Sequence, residues 1–376
     1  MKTGLLIVGG GVTGLFTAVS LLDHGYRDIT IVEKSYIGSG GTFRCATGIR
    51  ASFTSREHVN IMKRAIDLWP ILAEKLGFKY RRDGYLWVLT REKDVEFFKR
   101  VVEFHHSLNV PTRMMGPEEV KELIPSMNTE GVLSAVHDPL AGKASVFNAT
   151  VNAAALLKRS GVKIYEGTQA TRITSEGGRL IVETNRGRIE ADKVLVAAAR
   201  DTVDLVKDMG AELPIRNLAK HVLITEAFKP VIKPLIIDWS TSSYILQVLH
   251  GNIYIGADIP EEYDAPAVNK YAFLEKAAGI WVRYFPWLSE VYVLRYWVGY
   301  YDMTPDHHPI VGPLEENENV IVAAGFSGHG FMMAPAVAEA LASYILGDKP
   351  ALPEFENLKP ERFRKGRLIK EIAVFG

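Results

Sequence analysis

The sequence predicts an α/β fold, and three observations carry it. The N-terminus runs strand, glycine turn, helix, strand, acidic residue. The segment from about 163 to 301 is crowded with strand-like stretches. The chain then returns to strand, glycine turn and helix near its C-terminal end.

The first series is the most specific. Residues 4–7 are an apolar run that breaks into Gly9-Gly10-Gly11-Val12-Thr13-Gly14, a GxGxxG pattern. Residues 15–22 follow at helical spacing, and residues 29–32 read as a second strand ending in Glu33. Gly9 permits the tight turn, Gly11 lets backbone approach a pyrophosphate, and Gly14 lets helix pack closely on sheet. The helix start at Val12 and Thr13 offers free N–H groups and a positive dipole end to phosphates. Glu33 lies nineteen residues after Gly14, where a carboxylate accepts from a ribose 2′-OH. This is a Rossmann-like dinucleotide site, and an acid at 33 favours FAD or NAD over NADP.

Lys34 opens a loop rich in Gly, Ser, Thr and Arg that runs to Ser55. Phe43, Cys45 and Ile49 are unusual in a solvated linker, so the loop is expected to wrap a ligand. Cys45 reads as a small buried residue, since no base stands beside it in sequence. Residues 56–76 show helical periodicity, 85–89 a strand, 94–108 an amphipathic helix, and 117–123 a short helix opened by Pro117. Residues 132–136 are expected as strand and 147–158 as helix. Strands are expected at 163–166, 171–174, 180–183 and 193–197, with Gly177-Gly178 and Asn185-Arg186-Gly187 as hairpin signals. Further strands are expected at 213–225, 235–239, 243–249, 253–257 and 292–297, interrupted by one helix at 271–284. Their Tyr, Trp and Phe content suits either a half-buried sheet or the wall of an apolar pocket.

Residues 319–323 form the last apolar strand, followed by Gly325-Phe326-Ser327-Gly328-His329-Gly330 and a helix at 332–345. The turn is not a nucleophile elbow, because His329 stands where GxSxG requires glycine. It reads as a second helix N-terminus aimed at a ligand, with His329 near the reacting centre. No metal site is expected: His307 and His308 are adjacent, and on an extended chain adjacent side chains point to opposite faces.

Composition bounds the rest. The 376 residues allow two domains or one large interwoven unit. A formal net charge of zero leaves no electrostatic footprint for nucleic acid. The single cysteine excludes an intrachain disulfide or a CxxC pair and fits a reducing cytoplasm. Scarce glutamine beside abundant Glu, Lys and Arg points to a thermophile. The glycines in the N-terminal apolar stretch argue against a signal peptide, and no membrane span is expected.

With GxGxxG and Glu33, the 38–50 loop, the segment Thr304-Pro305-Asp306-His307-His308-Pro309-Ile310-Val311-Gly312 and the run from Ala323 to Leu341, the chain resembles the D-amino-acid oxidase superfamily. Its pattern is similar to the glycine and sarcosine oxidase branches, and most of all to the FAD-bearing beta subunits of dye-linked L-proline dehydrogenases. The resemblance implies a Rossmann-like FAD-binding domain (1–80, 141–210 and 302–376) interwoven with a substrate domain (81–140 and 211–301) built on a large mixed β-sheet. It implies non-covalent FAD, held by the N-terminal positions above and Lys34. It adds Ser39, Gly40, Thr42, Arg44, Cys45 and Gly48, then Ala170 and Ala198, and finally Gly328, His329, Gly330, Phe331 and Met332. Gly299 stands where some relatives attach flavin through cysteine. Arg50, His329 and Tyr254 are the expected catalytic positions, with Arg50 gripping a substrate carboxylate. Oxidase relatives carry lysines at the counterparts of Tyr254 and Met332, so dehydrogenase is expected over oxidase. The implied activity is oxidation of the C–N bond of a small amino acid such as L-proline, by hydride transfer to flavin N5. A peroxide-forming sarcosine, glycine or D-amino-acid oxidase is one alternative, and an electron-transfer subunit without its own substrate site another. The resemblance also implies an oligomer with a second flavoprotein subunit, and FMN at their interface.

Overall fold

The computed structural model of the chain describes residues 1–374. Two eight-stranded sheets and a small three-stranded one organise them.

The first sheet is centred on Lys2–Val8, of which every residue but Lys2 is buried. It lies between Ile29–Val32 and Gly187–Val196 and is parallel to both, with Leu5 beside Ile29 and Lys193. Val320–Ala324 extends the parallel set on one side and Lys163–Tyr165 on the other. Unbroken apolar strands suit such a sheet because both faces are covered. The helices Val12–Asp23, Arg56–Leu76 and Gly330–Leu346 pack together over one face. The other face buries Leu6, Val8, Val196 and Val322 against Leu205 and Leu213.

The second sheet runs Val293–Met303, Arg216–Ala227, Asn252–Ala257, Ser243–Gln247, Leu235–Asp238, Tyr85–Leu89, Ser134–Asp138 and Arg113–Met115. It is antiparallel except where Leu235–Asp238 lies parallel to Tyr85–Leu89, so it is mixed. The chain visits the first sheet, the second, the first, the second and the first again. The small sheet Gly48–Ile49, Gly142–Ala144 and Tyr80–Arg81 lies at the crossings between the two large ones.

Two strands run five or more residues past the ends their apolar patterns predict. The strand expected at 193–197 begins at Gly187, because its first residues close an antiparallel hairpin with Leu180–Thr184 before joining the parallel set. The strand expected at 292–297 continues to Met303, because pairing with Arg216–Ala227 holds backbone whose side-chain pattern is irregular.

Candidate active site

A cavity of about 1060 Å³ passes between the two large sheets, with walls from Val8, Gly9 and Val32 of the first and Val222, Tyr244 and Val298 of the second. Its size is at the upper end of small-molecule clefts, roughly 300–1,000 Å³.

One end is built from backbone. Gly9 has φ +117, and a Cβ there would lie 2.2 Å from the Ala197 carbonyl oxygen. A Cβ on Gly14 would lie 2.3 Å from the Gly9 oxygen, so this glycine serves close packing and does not line the cleft. The helix Val12–Asp23 starts after Gly11 with no acidic residue in its first turn, leaving its positive end uncompensated. The Thr42 hydroxyl accepts from the Val12 N–H at 3.1 Å, which ties the 38–50 loop to that helix start. Glu33 accepts from the Gly10 N–H at 2.8 Å and from the Ser35 N–H at 2.9 Å. Its carboxylate is thereby oriented at the cleft wall with lone pairs to spare. Lys34 forms an ion pair with Asp201 at the same end.

Gly11, Val12, Thr13, Ser39, Gly40, Thr42, Arg44 and Cys45 line the cleft, as do Ala170, Ala198, Gly328, Gly330 and Phe331. A Cβ on Gly40 or Gly41 would meet nothing within 4 Å, so the loop leaves an open cradle beside the helix start. Arg44 donates to the Ser39 and Gly40 carbonyls and stiffens that loop. Burial pushes the Cys45 thiol up to about 12, so it stays protonated at neutral pH. The uncompensated helix end, the glycine cradle and the oriented acid together fit an adenine dinucleotide such as FAD. The group fits on the chemistry of these donors alone.

The other end is built from side chains of the second sheet. Tyr244, Tyr300, Tyr301, Lys220, His221 and Asp258 line it. A Cβ on Gly328 would come within 2.3 Å of the Tyr301 ring, so the glycine turn and this tyrosine are in direct contact. Burial raises the Tyr244 and Tyr301 phenols, so both keep their protons at neutral pH. Asp302 accepts from the Gly325 N–H at 2.7 Å, and burial raises its carboxyl to about 6.

Several expected positions stand outside the lining. Gly48 packs against Tyr85, and Met332 gives its carbonyl to the Trp69 Nε1–H at 3.0 Å. Tyr254 is buried edge-on to Trp297, with ring centroids 5.5 Å apart. His329 is buried edge-on to Phe53 and His58, and burial holds its ring neutral. Arg50, expected to grip a substrate carboxylate, also stands outside the lining. Its guanidinium is fully buried over Phe53 and Trp87. Nη1 donates to the Ser52 carbonyl at 3.0 Å and Nη2 to the Ala373 carbonyl at 2.7 Å. A tail segment remote in sequence thus engages the arginine.

That tail also creates a cluster the sequence did not reveal. Ligating atoms of His58, His308 and Glu371 lie within 4.8 Å of one another. The Ser55 hydroxyl already sits among them, 2.9 Å from His308 Nε2, 2.8 Å from Glu371 Oε2 and 3.4 Å from His58 Nδ1. Glu371 accepts further from the Thr54 and Ser55 N–H groups. The cluster is a hydrogen-bonded hub that fixes the tail to the start of the helix Arg56–Leu76. Lys220, Asp258 and Asp201 were also missed, because no motif surrounds them.

Among the described residues, no helix is long and apolar enough to cross a membrane. The beta subunit of sarcosine oxidase from Rhodobacter capsulatus is 29% identical over 99% of this chain and 91% of its own length. The crystal structure of L-proline dehydrogenase from P. horikoshii is 36% identical, with a TM-score of 0.93, covering 98% of this chain and 99% of that one. Glycine oxidase from Geobacillus kaustophilus, 22% identical with a TM-score of 0.88 over 94% of this chain and 98% of its own, shares the fold. A family described as FAD dependent oxidoreductase (DAO) matches residues 5–344, and the chain belongs to it.

Proposed function

We propose that the chain is the FAD-bearing subunit of an amino-acid dehydrogenase that oxidises the C–N bond of L-proline or a similar small secondary amine. The observation that carries this reading is the likeness, over nearly the whole of both chains, to L-proline dehydrogenase at 36% identity. When bound, FAD supplies the two-electron acceptor for the hydride leaving the carbon beside nitrogen.

The chain's own residues bind and orient. Glu33 would accept from the adenosine ribose. The start of the helix Val12–Asp23, with Gly11, Gly40 and Thr42, would hold the phosphates. Gly328, Gly330 and Phe331 would line the flavin ring. Tyr244 and Tyr301 would donate to polar substrate atoms and keep water out with their rings. Tyr254 and Met332, at the positions where the oxidase branch carries lysine, support a non-oxygen acceptor. The relatives named as beta subunits support a hetero-oligomer. A flavoprotein partner with FMN at the contact extends that reading by resemblance.

The test is an anaerobic visible spectrum of the purified, FAD-loaded chain. L-proline, sarcosine, glycine and D-amino acids are added in turn. Bleaching by L-proline and slow recolouring in air are expected. Fast recolouring with stoichiometric peroxide would make it an oxidase, and no bleaching by any of them would remove the catalytic role.

A further inference from the structure

We propose that Lys220 and Asp258 form the subsite of this cleft that recognises a zwitterion, Lys220 taking the carboxylate of an amino acid and Asp258 its ammonium group. This rests on the amino-acid reading above and names the residues that enforce it.

The cleft's ionic groups separate by position. Among the described residues, four cations line it: Lys34, Arg44, Arg200 and Lys220. Lys34 pairs with Asp201 and Arg200 with Asp204, all in the segments that follow strands of the first sheet. Arg44 donates through Nη1 to the Ser39 and Gly40 carbonyls, and its side chain lies over Gly299. Only Lys220 comes from the second sheet, beside Tyr244 and Tyr301.

Its surroundings suit a small charged ligand. Lys220 lies on the strand Arg216–Ala227, in register with Gly299, so the neighbouring strand sets no side chain opposite it and the stem of Arg44 packs over that glycine. Its Nζ donates to Asp258 Oδ1 at 2.7 Å and lies 5.6 Å from the centre of the Tyr301 ring. Asp258 directly follows the strand Asn252–Ala257. Side-chain exposures of 19% and 40% place the pair at the open side of the cavity. An ammonium group has three donors, and the one hydrogen bond to Asp258 leaves two for a ligand. Near the pair, Lys276 donates to the Asp258 backbone carbonyl, while His221 is committed to Glu261 at 2.7 Å.

Charge matching makes the pair selective. A zwitterion inserts between the two charges and leaves every charge paired. An ester or amide leaves Lys220 without its anion, and an N-acyl derivative leaves Asp258 without its cation. Each mismatch desolvates a charge without compensation, which is where polar sites gain discrimination. Arg50, the other cation considered for the carboxylate, is held by the Ser52 and Ala373 carbonyls.

The test uses the FAD-loaded full chain and proline betaine, a zwitterion that lacks an N–H and is not oxidised. Binding is read from the flavin absorbance, alongside turnover of L-proline and L-prolinamide. The FAD content of each variant reports its folding. Lys220→Met is expected to weaken betaine binding and raise the KM for L-proline by about ten-fold or more, with kcat within about two-fold. Its KM for L-prolinamide does not rise, and it falls to the extent that the unmatched charge of Lys220 had weakened the amide. Asp258→Asn weakens both proline and prolinamide, and the exchanged pair Lys220→Asp with Asp258→Lys recovers part of the betaine affinity. Lys220→Met binding betaine and proline like the parent would overturn the subsite and leave the amino-acid reading standing. A parent protein that binds betaine and is reduced by no amino acid would overturn that reading alone.

Discussion

At the glycine-turn end of the cleft, the chain presents backbone: Gly9 and Gly11, the helix start at Val12, and a carboxylate held by two N–H groups. At the other end it presents side chains on neighbouring strands: Lys220, Tyr244, Asp258 and Tyr301. The first end needs a short stretch of chain in one conformation, so it recognises what every cofactor of its class shares. The second needs distant segments brought into register, so it can change from one relative to the next while the fold stands.

The sharpest way to break this contrast is at Gly9. Its φ of +117 and the 2.2 Å approach of the Ala197 oxygen leave no room for a side chain, and backbone cannot swing aside. Gly9→Ala is expected to weaken FAD binding on the order of 100-fold, from about 3 kcal/mol of strain. Fluorescence titration of the apoprotein with FAD measures it. Near-normal affinity would mean that the turn relaxes and the backbone account of this end is wrong.

Arg50 tests the boundary between site and scaffold. Its hydrogen bonds to the Ser52 and Ala373 carbonyls and its stacking on Phe53 make it a tie between the 48–53 segment and the tail. Arg50→Met is expected to cost about 3 kcal/mol of stability in denaturant unfolding, from the loss of its charged hydrogen bonds to the Ser52 and Ala373 carbonyls. A variant of unchanged stability with a strongly raised KM for carboxylate substrates would return Arg50 to substrate binding.

Legibility in the sequence follows the same division. GxGxxG, Glu33 and the 325–330 turn were readable because each glycine answers a local steric demand, which spacing preserves. The doubly interrupted layout was readable only through resemblance, since neither periodicity nor composition says which strand joins which sheet. Lys220 and Asp258 were invisible: each is an ordinary charged residue until Arg216–Ala227 and Asn252–Ala257 pair as neighbours. The seating of Arg50 was not legible, because Ala373, more than three hundred residues away, supplies one of its acceptors.

Glu33 sets the next smaller effect. Both carboxylate oxygens are in use, Oε2 for Gly10 and Oε1 for Ser35. In Glu33→Gln one amide NH₂ would face an N–H, so the side chain turns and loses its aim. FAD affinity is expected to fall about ten-fold, the worth of one charged hydrogen bond. An unchanged affinity would assign the ribose to another group.

Asp302 sharpens the contrast by pH. Burial raises its carboxyl to about 6 from the ordinary 3.8, so the folded chain holds this proton more tightly than the unfolded one. Its contribution to stability is therefore fully present below about pH 4 and is lost as pH rises through about 6. Asp302→Asn keeps an oxygen for the Gly325 N–H and removes the titration. The difference in melting temperature between parent and variant is expected to widen in the variant's favour from pH 4 to 7. A difference independent of pH would show that Asp302 titrates normally.

The smallest effect belongs to Lys34, one residue beyond Glu33. Lys34 and Asp201 form an ion pair whose side chains are 56% and 51% exposed, so water and salt screen it. Such a pair is worth about 0–1 kcal/mol. Lys34→Ala is expected to change FAD affinity by no more than about five-fold, and about 0.5 M salt removes the difference. An effect larger than that of Glu33→Gln and insensitive to salt would mean that Lys34 leaves Asp201 to bind the cofactor itself. The glycine-turn end would then depend on a side chain as much as on its backbone, and the contrast with the Lys220 end would narrow to a difference of degree.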